Sequence, residues 1–453
     1  MSSIGLEDQD KLTLGIIKSL KDSKKADFRL LLDELQPYDI ARIFESLPKK
    51  HRAKFLLFMN PEEIADLIQE LEKEYQFEVL TKLGIEKSGH VMDLMDNDDL
   101  AFLLEDLSPD KIEELLAGMG REESKIVQNI MNYPPETAGR MMTNRFVWIS
   151  KHYTVREAAN KLKEFAEFSE TINYLYVIND EKKLVGVVSY RDLIIADLHE
   201  KIEDIMYKRV ISVTADTDQE EVAQIIERYD FLAIPVVENE VLVGIVTVDD
   251  IIDVVISEAT EDIEKLSASG KAIDFDTKAY VAAYRRLPWL ILLLFIGIVS
   301  GTIISQFEET LSKVVALAFF MPMIAGMTGN TGTQSLAVVV RGLITKDVDK
   351  NVAVRLIFRE LNVGLIIGVI CGVLIAIIAL VWQGSAVLGL VVGSSLVLTL
   401  IIGTLAGTII PLLLYRLKID PAVASGPLIT TINDIVSLLI YFGLASMFIN
   451  YLM

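Results

Sequence analysis

The sequence predicts a multidomain, mainly α-helical membrane protein: a solenoid-like helical amino-terminal domain, a duplicated α/β unit, an acidic connecting helix and a five-helix transmembrane domain. Three observations predict it. Hydrophobic residues make up 51% of the 453-residue chain although 24% are charged, and mean hydropathy is +0.40. The charge is segregated: Tyr284 to Met453 has a balance of +3 within a chain of net charge −21, so the preceding residues carry −24. Long uncharged runs are confined to that last segment, and a sequence repeat precedes them. The domains expected are 1–135 (helical), 136–257 (repeat), 258–283 (connecting helix) and 284–453 (membrane).

An acidic balance of this size repels phosphate backbones and attracts cations, which argues against a nucleic-acid partner. The single cysteine, Cys371, sits in an apolar run, so no disulfide framework or thiolate metal site is expected. The amino-terminal residues are polar and of mixed charge, so the later helices are expected to drive membrane insertion.

In residues 1–135, leucines recur at helical spacing, punctuated by Asn60-Pro61-Glu62-Glu63, Asp96-Asn97-Asp98-Asp99 and Ser108-Pro109-Asp110. An acceptor followed by Pro or acids in the first turn is a helix start. Its recurrence predicts a small helical solenoid, closed at Tyr133-Pro134-Pro135.

The repeat follows. Arg140-Met141-Met142-Thr143 opens one copy and Asp204-Ile205-Met206-Tyr207 the other. Leu184-Val185-Gly186-Val187-Val188-Ser189-Tyr190-Arg191-Asp192 aligns with Leu242-Val243-Gly244-Ile245-Val246-Thr247-Val248-Asp249-Asp250. Each copy reads as helix, strand, turn, Gly-containing strand and a second helix capped by Ser189 or Thr247. The pair resembles tandem CBS domains, which implies binding of ATP or another adenine nucleotide. The ribose-binding acids implied are Asp192 and Asp250, with Arg191 beside the first; both acids also fit as first-turn helix acids. No phosphate-cradling Gly-x-x-x-x-Gly-Lys-Ser/Thr run is present, so nucleotide is expected as a ligand and not as fuel.

From Ile251 to about Tyr280 a helical stretch is expected to reach the first span. Glu258, Glu261 and Asp262 lie at i, i+3 and i+4, which concentrates negative charge on one face. A solvated face and a cation-sensing face both fit. Five spans follow: Leu287–Phe307, Val314–Val340, two within Leu361–Tyr415 divided at Trp382-Gln383-Gly384-Ser385, and one in Pro421–Met453. Arg285, Arg286, Arg341, Lys346, Lys350, Arg355, Arg359, Arg416 and Lys418 cluster on one side, which places the head in the cytoplasm and the carboxyl terminus outside.

Asp434 is the most informative residue, because a mid-span carboxylate costs roughly 2.5–3.5 kcal/mol to insert. Thr430, Asp434 and Ser437 are expected to share one helical stripe. The second span holds Pro322, Gly326, Gly329, Asn330, Gly332, Thr333 and Gln334, which offers neutral oxygens and close helix approach. Pro322 and Pro427 are expected to free the carbonyls of Ala318 and Val423 toward a pore. Oxygen ligands without cysteine or membrane histidine suit a hard cation, and Mg2+, which keeps its waters, suits few carboxylates and a wide polar ring. One acid per chain suggests a homodimer that places two Asp434 residues about an axis.

The order of segments, with Pro322, Gly329-Asn330-Thr331-Gly332-Thr333-Gln334 and Asn433-Asp434, resembles the MgtE magnesium transporters over essentially the whole chain. The resemblance implies a Mg2+ channel or transporter of the inner or plasma membrane, dimeric in lipid and not an enzyme, closed by cytoplasmic Mg2+ as both substrate and regulator. It makes Asp434 the pore acid, with Asn330 beside it and Asp420 near the cytoplasmic mouth. The sensing acids implied are Asp98, Glu220, Asp230, Asp250, Glu258, Glu261 and Asp262. A broader carrier of Mn2+, Co2+ or Zn2+ and a non-conducting divalent-cation sensor remain open. An intramembrane hydrolase lacks its ligands, since no span carries histidine or a second Asp.

Overall fold

The computed structural model describes residues 6–105, 107–166, 169–268, 273, 277–345 and 349–452; Lys346 lies outside them. The chain divides into two compact units, Met1–Val255 and Ile256–Met453. The first begins with short helices from Leu6–Lys21 to Arg121–Met131. Sequence punctuation sets their starts: Asn60 and Glu63 form a reciprocal capping box, and Pro37, Pro61 and Pro109 each occupy a first turn. Their apolar faces bury Phe28, Phe44 and Phe55, which meet edge to face at 5.1 and 5.6 Å.

The repeat forms two three-stranded sheets, Phe146–Ser150, Thr171–Ile178 and Leu184–Ser189 in one copy, and Val213–Thr214, Ala233–Glu238 and Val241–Thr247 in the other. The later two strands of each pair antiparallel, as the sequence predicts. Each copy also has a leading strand, in parallel pairing, that sequence periodicity does not reveal. Parallel partners lie far apart in the chain, and one leading strand is only two residues long. The copies are interlocked. Thr143 bridges to Ile245 and Tyr207 to Val187. Met142 lies against Gly244 and Met206 against Gly186, so close that a Cβ at either glycine would overlap the thioether. The glycine of each copy therefore exists to admit the methionine that opens the other.

The connecting helix is Val248–Leu266. It stops short of the expected Tyr280, at Ser267-Ala268, where Ala268 takes a left-handed φ of 56° that a helix cannot continue. The membrane unit has five long helices among the described residues: Ala279–Gln306, Ala316–Thr345, Lys350–Gln383, Ala386–Arg416 and Gly426–Met447, hereafter the first to fifth spans. All but the second are long and apolar enough to cross a membrane by length and composition. The second has 30 residues, and its polar middle, Thr328 to Gln334, lowers its hydropathy. The third span ends where expected, with Gly384 left-handed at φ 68° and Ser385 capping the fourth.

Glycines decide the packing of this unit. Gly364, Gly368 and Gly372 of the third span meet Thr404, Val397 and Gly393 of the fourth, so these two helices lie together along their length. The second span packs on the fourth and the fifth. Pro427 does not open a helix interior as expected. It sits in the first turn of the fifth span, after Ser425, where no helical hydrogen bond is lost. Val423 belongs instead to a short 3₁₀ turn, Pro421–Val423, and its carbonyl accepts from the Ser425 amide at 2.7 Å. Pro322 does lie within its helix.

Candidate ion pathway and acidic regulatory site

In the first unit, Arg145 ties the helical domain to the duplicated α/β unit. Its guanidinium donates to the carbonyls of Asp93, Leu94 and Met95 and pairs with Asp96 at 3.2 Å. Next to it the Asn97 amide donates to Asn144 Oδ1 at 2.7 Å. These contacts seat the start of the helix Asn97–Leu104 against the duplicated α/β unit, and that start carries Asp98. There Asp98, Glu170 and Asp250 converge, with one oxygen of each within 4.8 Å of the others.

This trio is built at the expense of solvation. Asp98 is 7% exposed, and its Oδ1 and Glu170 Oε2 are buried without a hydrogen-bond partner. Thr247 donates its hydroxyl to Asp250 at 2.6 Å. Burial is the first cause that raises all three carboxyls, Asp98 well above the usual range, Glu170 to about 8 and Asp250 to about 7. Repulsion from neighbouring acids adds to it, from Asp250 and Glu170 on Asp98, from Asp250 on Glu170, and from Asp249 and Asp99 on Asp250. Orphaned oxygens and three like charges describe a place for a hard divalent cation, which would satisfy the oxygens and displace the protons.

In the second unit, the end of the connecting helix meets the loop before the fifth span. Lys265 pairs with Glu261 and with Asp420, each at 2.6 Å. Asp420 also accepts from the Ala422 amide, fixing the turn. Leu266 packs on Leu336, Val340, Ala422, Ala424 and Ile429. Burial first and Asp420 second raise the Asp262 carboxyl, with Glu258 and Glu261 adding to it. Of the expected sensing acids, Glu258, Glu261 and Asp262 thus share this junction, and Asp420 joins them.

Asp434 lies half-buried in the fifth span, two turns beyond that junction, and no described residue hydrogen-bonds or ion-pairs with its carboxylate. Beside it Asn433 is 1% exposed. Ser437 does not continue the Asp434 stripe as expected. It is fully buried with Asn433 on the packed face and donates to the Asp434 carbonyl. On the second span, Thr328, Thr331 and Ser335 are buried while Asn330 and Gln334 are exposed, and Thr333 is half-buried, donating to the Asn330 carbonyl. A polar stripe thus faces away from the other spans of the same chain.

Glu220 and Asp230 sit at the two ends of the helix Gln219–Tyr229, about 15 Å apart along its axis, so one chain does not bring them together. Arg191 and Asp192 are exposed in the first turn of the helix Tyr190–Ile195, where Asp192 accepts the Ser189 hydroxyl at 2.6 Å. A cavity of about 480 Å³ lies between the two copies, lined by Tyr174, Val187, Tyr207, Arg209, Tyr229 and Phe231 among others; neither Arg191 nor Asp192 is in its wall.

Family comparisons agree with this layout. The profile described as a divalent cation transporter matches residues 321–444, the MgtE intracellular N domain matches 35–136, and CBS domains match 138–199 and 202–257. The magnesium transporter MgtE of Bacillus subtilis is 65% identical over 444 residues, which is 98% of each chain. This chain belongs to the MgtE family. It is a family of transporters, not enzymes. The MgtE proteins of Enterococcus faecalis and Thermus thermophilus are 44% and 36% identical over at least 98% of both chains. Among solved structures, the soluble part of a magnesium transporter is 37% identical with a TM-score of 0.53, covering 55% of this chain and 99% of its own. The cytosolic domain of the Mg2+ channel MgtE in complex with ATP is 33% identical with a TM-score of 0.51, covering 53% and 99%.

Two charged groups of this MgtE chain escaped the sequence reading. Glu170 precedes a strand and carries no local signal; only the fold brings it to Asp98 and Asp250. Glu360, 5% exposed, opens the apolar part of the third span, where it accepts from Ser335 at 3.0 Å and from Arg359 at 2.7 Å. An acid beside a basic cluster reads as one more interfacial charge, although burial in a span was its available clue.

Proposed function

We propose that this chain conducts Mg2+ across the cell membrane as a homodimer, along a pathway that includes Asp434, and that cytoplasmic Mg2+ closes it. The observation that carries the reading is the half-buried, unpartnered Asp434 carboxylate in the middle of a span. Such a group persists where it faces a water-filled path or a cation. The exposed Asn330 and Gln334 support a dimer, because polar side chains at membrane depth need water or a partner and not lipid tails. Neutral oxygens around few acids suit a hydrated Mg2+. The head lies in the cytoplasm and the carboxyl terminus outside, following the basic clusters.

One helix links sensor and pathway. Val248–Leu266 carries Asp250 in its first turn and Lys265 in its last. Mg2+ on Asp98, Glu170 and Asp250 fixes the start of this helix. Mg2+ screening Glu258, Glu261, Asp262 and Asp420 keeps its end docked before the fifth span. When Mg2+ falls, the acids repel and the end is released. Uptake into proteoliposomes with low and high Mg2+ on the head side tests this directly: flux that ignores head-side Mg2+ sinks the gate, and absent flux from folded dimer sinks the channel. Lys265→Ala removes two partly exposed ion pairs worth roughly 1 kcal/mol together. Residual flux at saturating head-side Mg2+ should then rise about fivefold; an unchanged residual would remove Lys265 from the closed state.

The CBS cavity is the place for an adenine nucleotide. Tyr174, Tyr229 and Phe231 offer aromatic faces to a base, and Arg209 offers charge to phosphates. Arg209→Ala should weaken ATP binding about tenfold in calorimetric titration of the full chain. Arg191→Ala in the same titration reports whether the rim residue contributes; full affinity in the Arg209 variant would move the phosphate site elsewhere.

A further inference from the structure

Asn433 is the side chain that keys the fifth span into the second and fourth. It is 1% exposed, its amide donates to the Thr328 carbonyl at 3.4 Å, and its Oδ1 is buried without a partner. The space it fills exists because Gly332 has no side chain: a Cβ there would overlap Asn433 Nδ2 and press on Ile429 and the Gly403 carbonyl. Gly403 of the fourth span is bare for the same reason, with Thr328 and Asn433 against it. One turn away Gly329 admits Thr430 in the same manner. Three helices thus converge on one amide, and the residue after that amide is Asp434.

We propose that Asn433, seated in the Gly332–Gly403 notch, is a positioning residue that sets the rotation of the fifth span and so aims the Asp434 carboxylate into the ion pathway. Consecutive helical residues point about 100° apart, so the depth of Asn433 in its notch fixes the direction of Asp434. A buried amide oxygen left unpaired is costly and is retained where the surrounding geometry demands it. Glycines on both neighbouring helices, Gly332 and Gly403, form the walls of its seat. The inference rests on the reading of Asp434 as the pathway acid.

The test is a size exchange in the full-length dimer, read as Mg2+ flux, half-saturating Mg2+ and the Mg2+/Ca2+ flux ratio in proteoliposomes. Asn433→Ala should lower the Mg2+/Ca2+ ratio about fivefold and shift half-saturation, with the thermal midpoint and dimer retained. Gly332→Ala, which drives the amide out, should cut Mg2+ flux about tenfold. The double variant Gly332→Ala/Asn433→Ala, with bulk moved across the notch, should recover to within about threefold of Asn433→Ala alone, the signature of a coupled pair. Wild-type half-saturation and ion ratio in Asn433→Ala, or a double variant no better than Gly332→Ala, would overturn the proposal. Asp434→Asn in the same assay separates the layers. If it is inactive while Asn433→Ala is wild type, positioning alone fails; if Asp434→Asn conducts normally, the pathway reading fails and takes this inference with it.

Discussion

Asp434→Asn is expected to lower Mg2+ flux by about a hundredfold while leaving the protein folded and dimeric. The reason is the size of the interaction removed. A divalent ion about 5 Å from a carboxylate gains roughly 6–7 kcal/mol at an effective dielectric of about 20. Keeping only half of that, about 3 kcal/mol, corresponds to roughly two decades in occupancy. The amide preserves shape, so packing around Asn433 and Ser437 should not change. Radiotracer-free uptake with a Mg2+-sensitive dye in proteoliposomes is the measurement. Near-normal flux would show that the carboxylate serves the fold, and thermal unfolding would then be the assay to move.

Neutralising the buried trio should have the second large effect. In Asp98→Asn/Glu170→Gln/Asp250→Asn, flux should no longer fall when head-side Mg2+ rises, with the half-inhibiting concentration displaced by at least about tenfold, since three ligands are lost together. The same trio predicts a pH effect whose sign follows from the raised carboxyls. A group with a folded pKa above its unfolded value stabilises below the unfolded value and loses that contribution as pH rises through the folded one. Without Mg2+, the head therefore weakens from about pH 4 upward, the loss running through about pH 7 for Asp250 and about pH 8 for Glu170, with Asp98 raised in the same direction. Mg2+ replaces the protons, so its thermal stabilisation of the full chain should be small at pH 6 and large at pH 8. Adding Mg2+ at about pH 6.5 should release roughly two to three protons per chain to an indicator dye. No proton release from the wild type, or the same release from the triple variant, would place Mg2+ elsewhere.

Part of this architecture was legible in local chemistry. Asn60, Pro61, Glu63 and Ser189 announce helix starts because capping involves only neighbours along the chain. The break at Gly384-Ser385 reads directly, because a left-handed glycine followed by a cap ends one helix and begins the next. The strand pairs of the CBS copies follow from their repeat and alternation. Asp434 stands out because a charge in an apolar run is a local anomaly. The failures share a cause. The leading parallel strands, the burial of Ser437 and the helix end at Leu266 depend on partners distant in sequence or on one backbone angle.

The sequence by itself determined that an acidic head precedes a membrane domain, that the head contains a duplicated α/β unit, and that one acid lies within a span. Charge segregation, internal repetition and apolar length are properties of the chain that need no coordinates. Tertiary structure alone decided that Glu170 meets Asp98 and Asp250, residues separated by 72 and 80 positions. It also decided that Lys265 meets Asp420 and that Asn433 fills the space left by Gly332. These are statements about which surfaces meet. A carboxylate's partners, protonation and use are set by the groups that folding brings within a few ångströms, and sequence spacing does not record that distance.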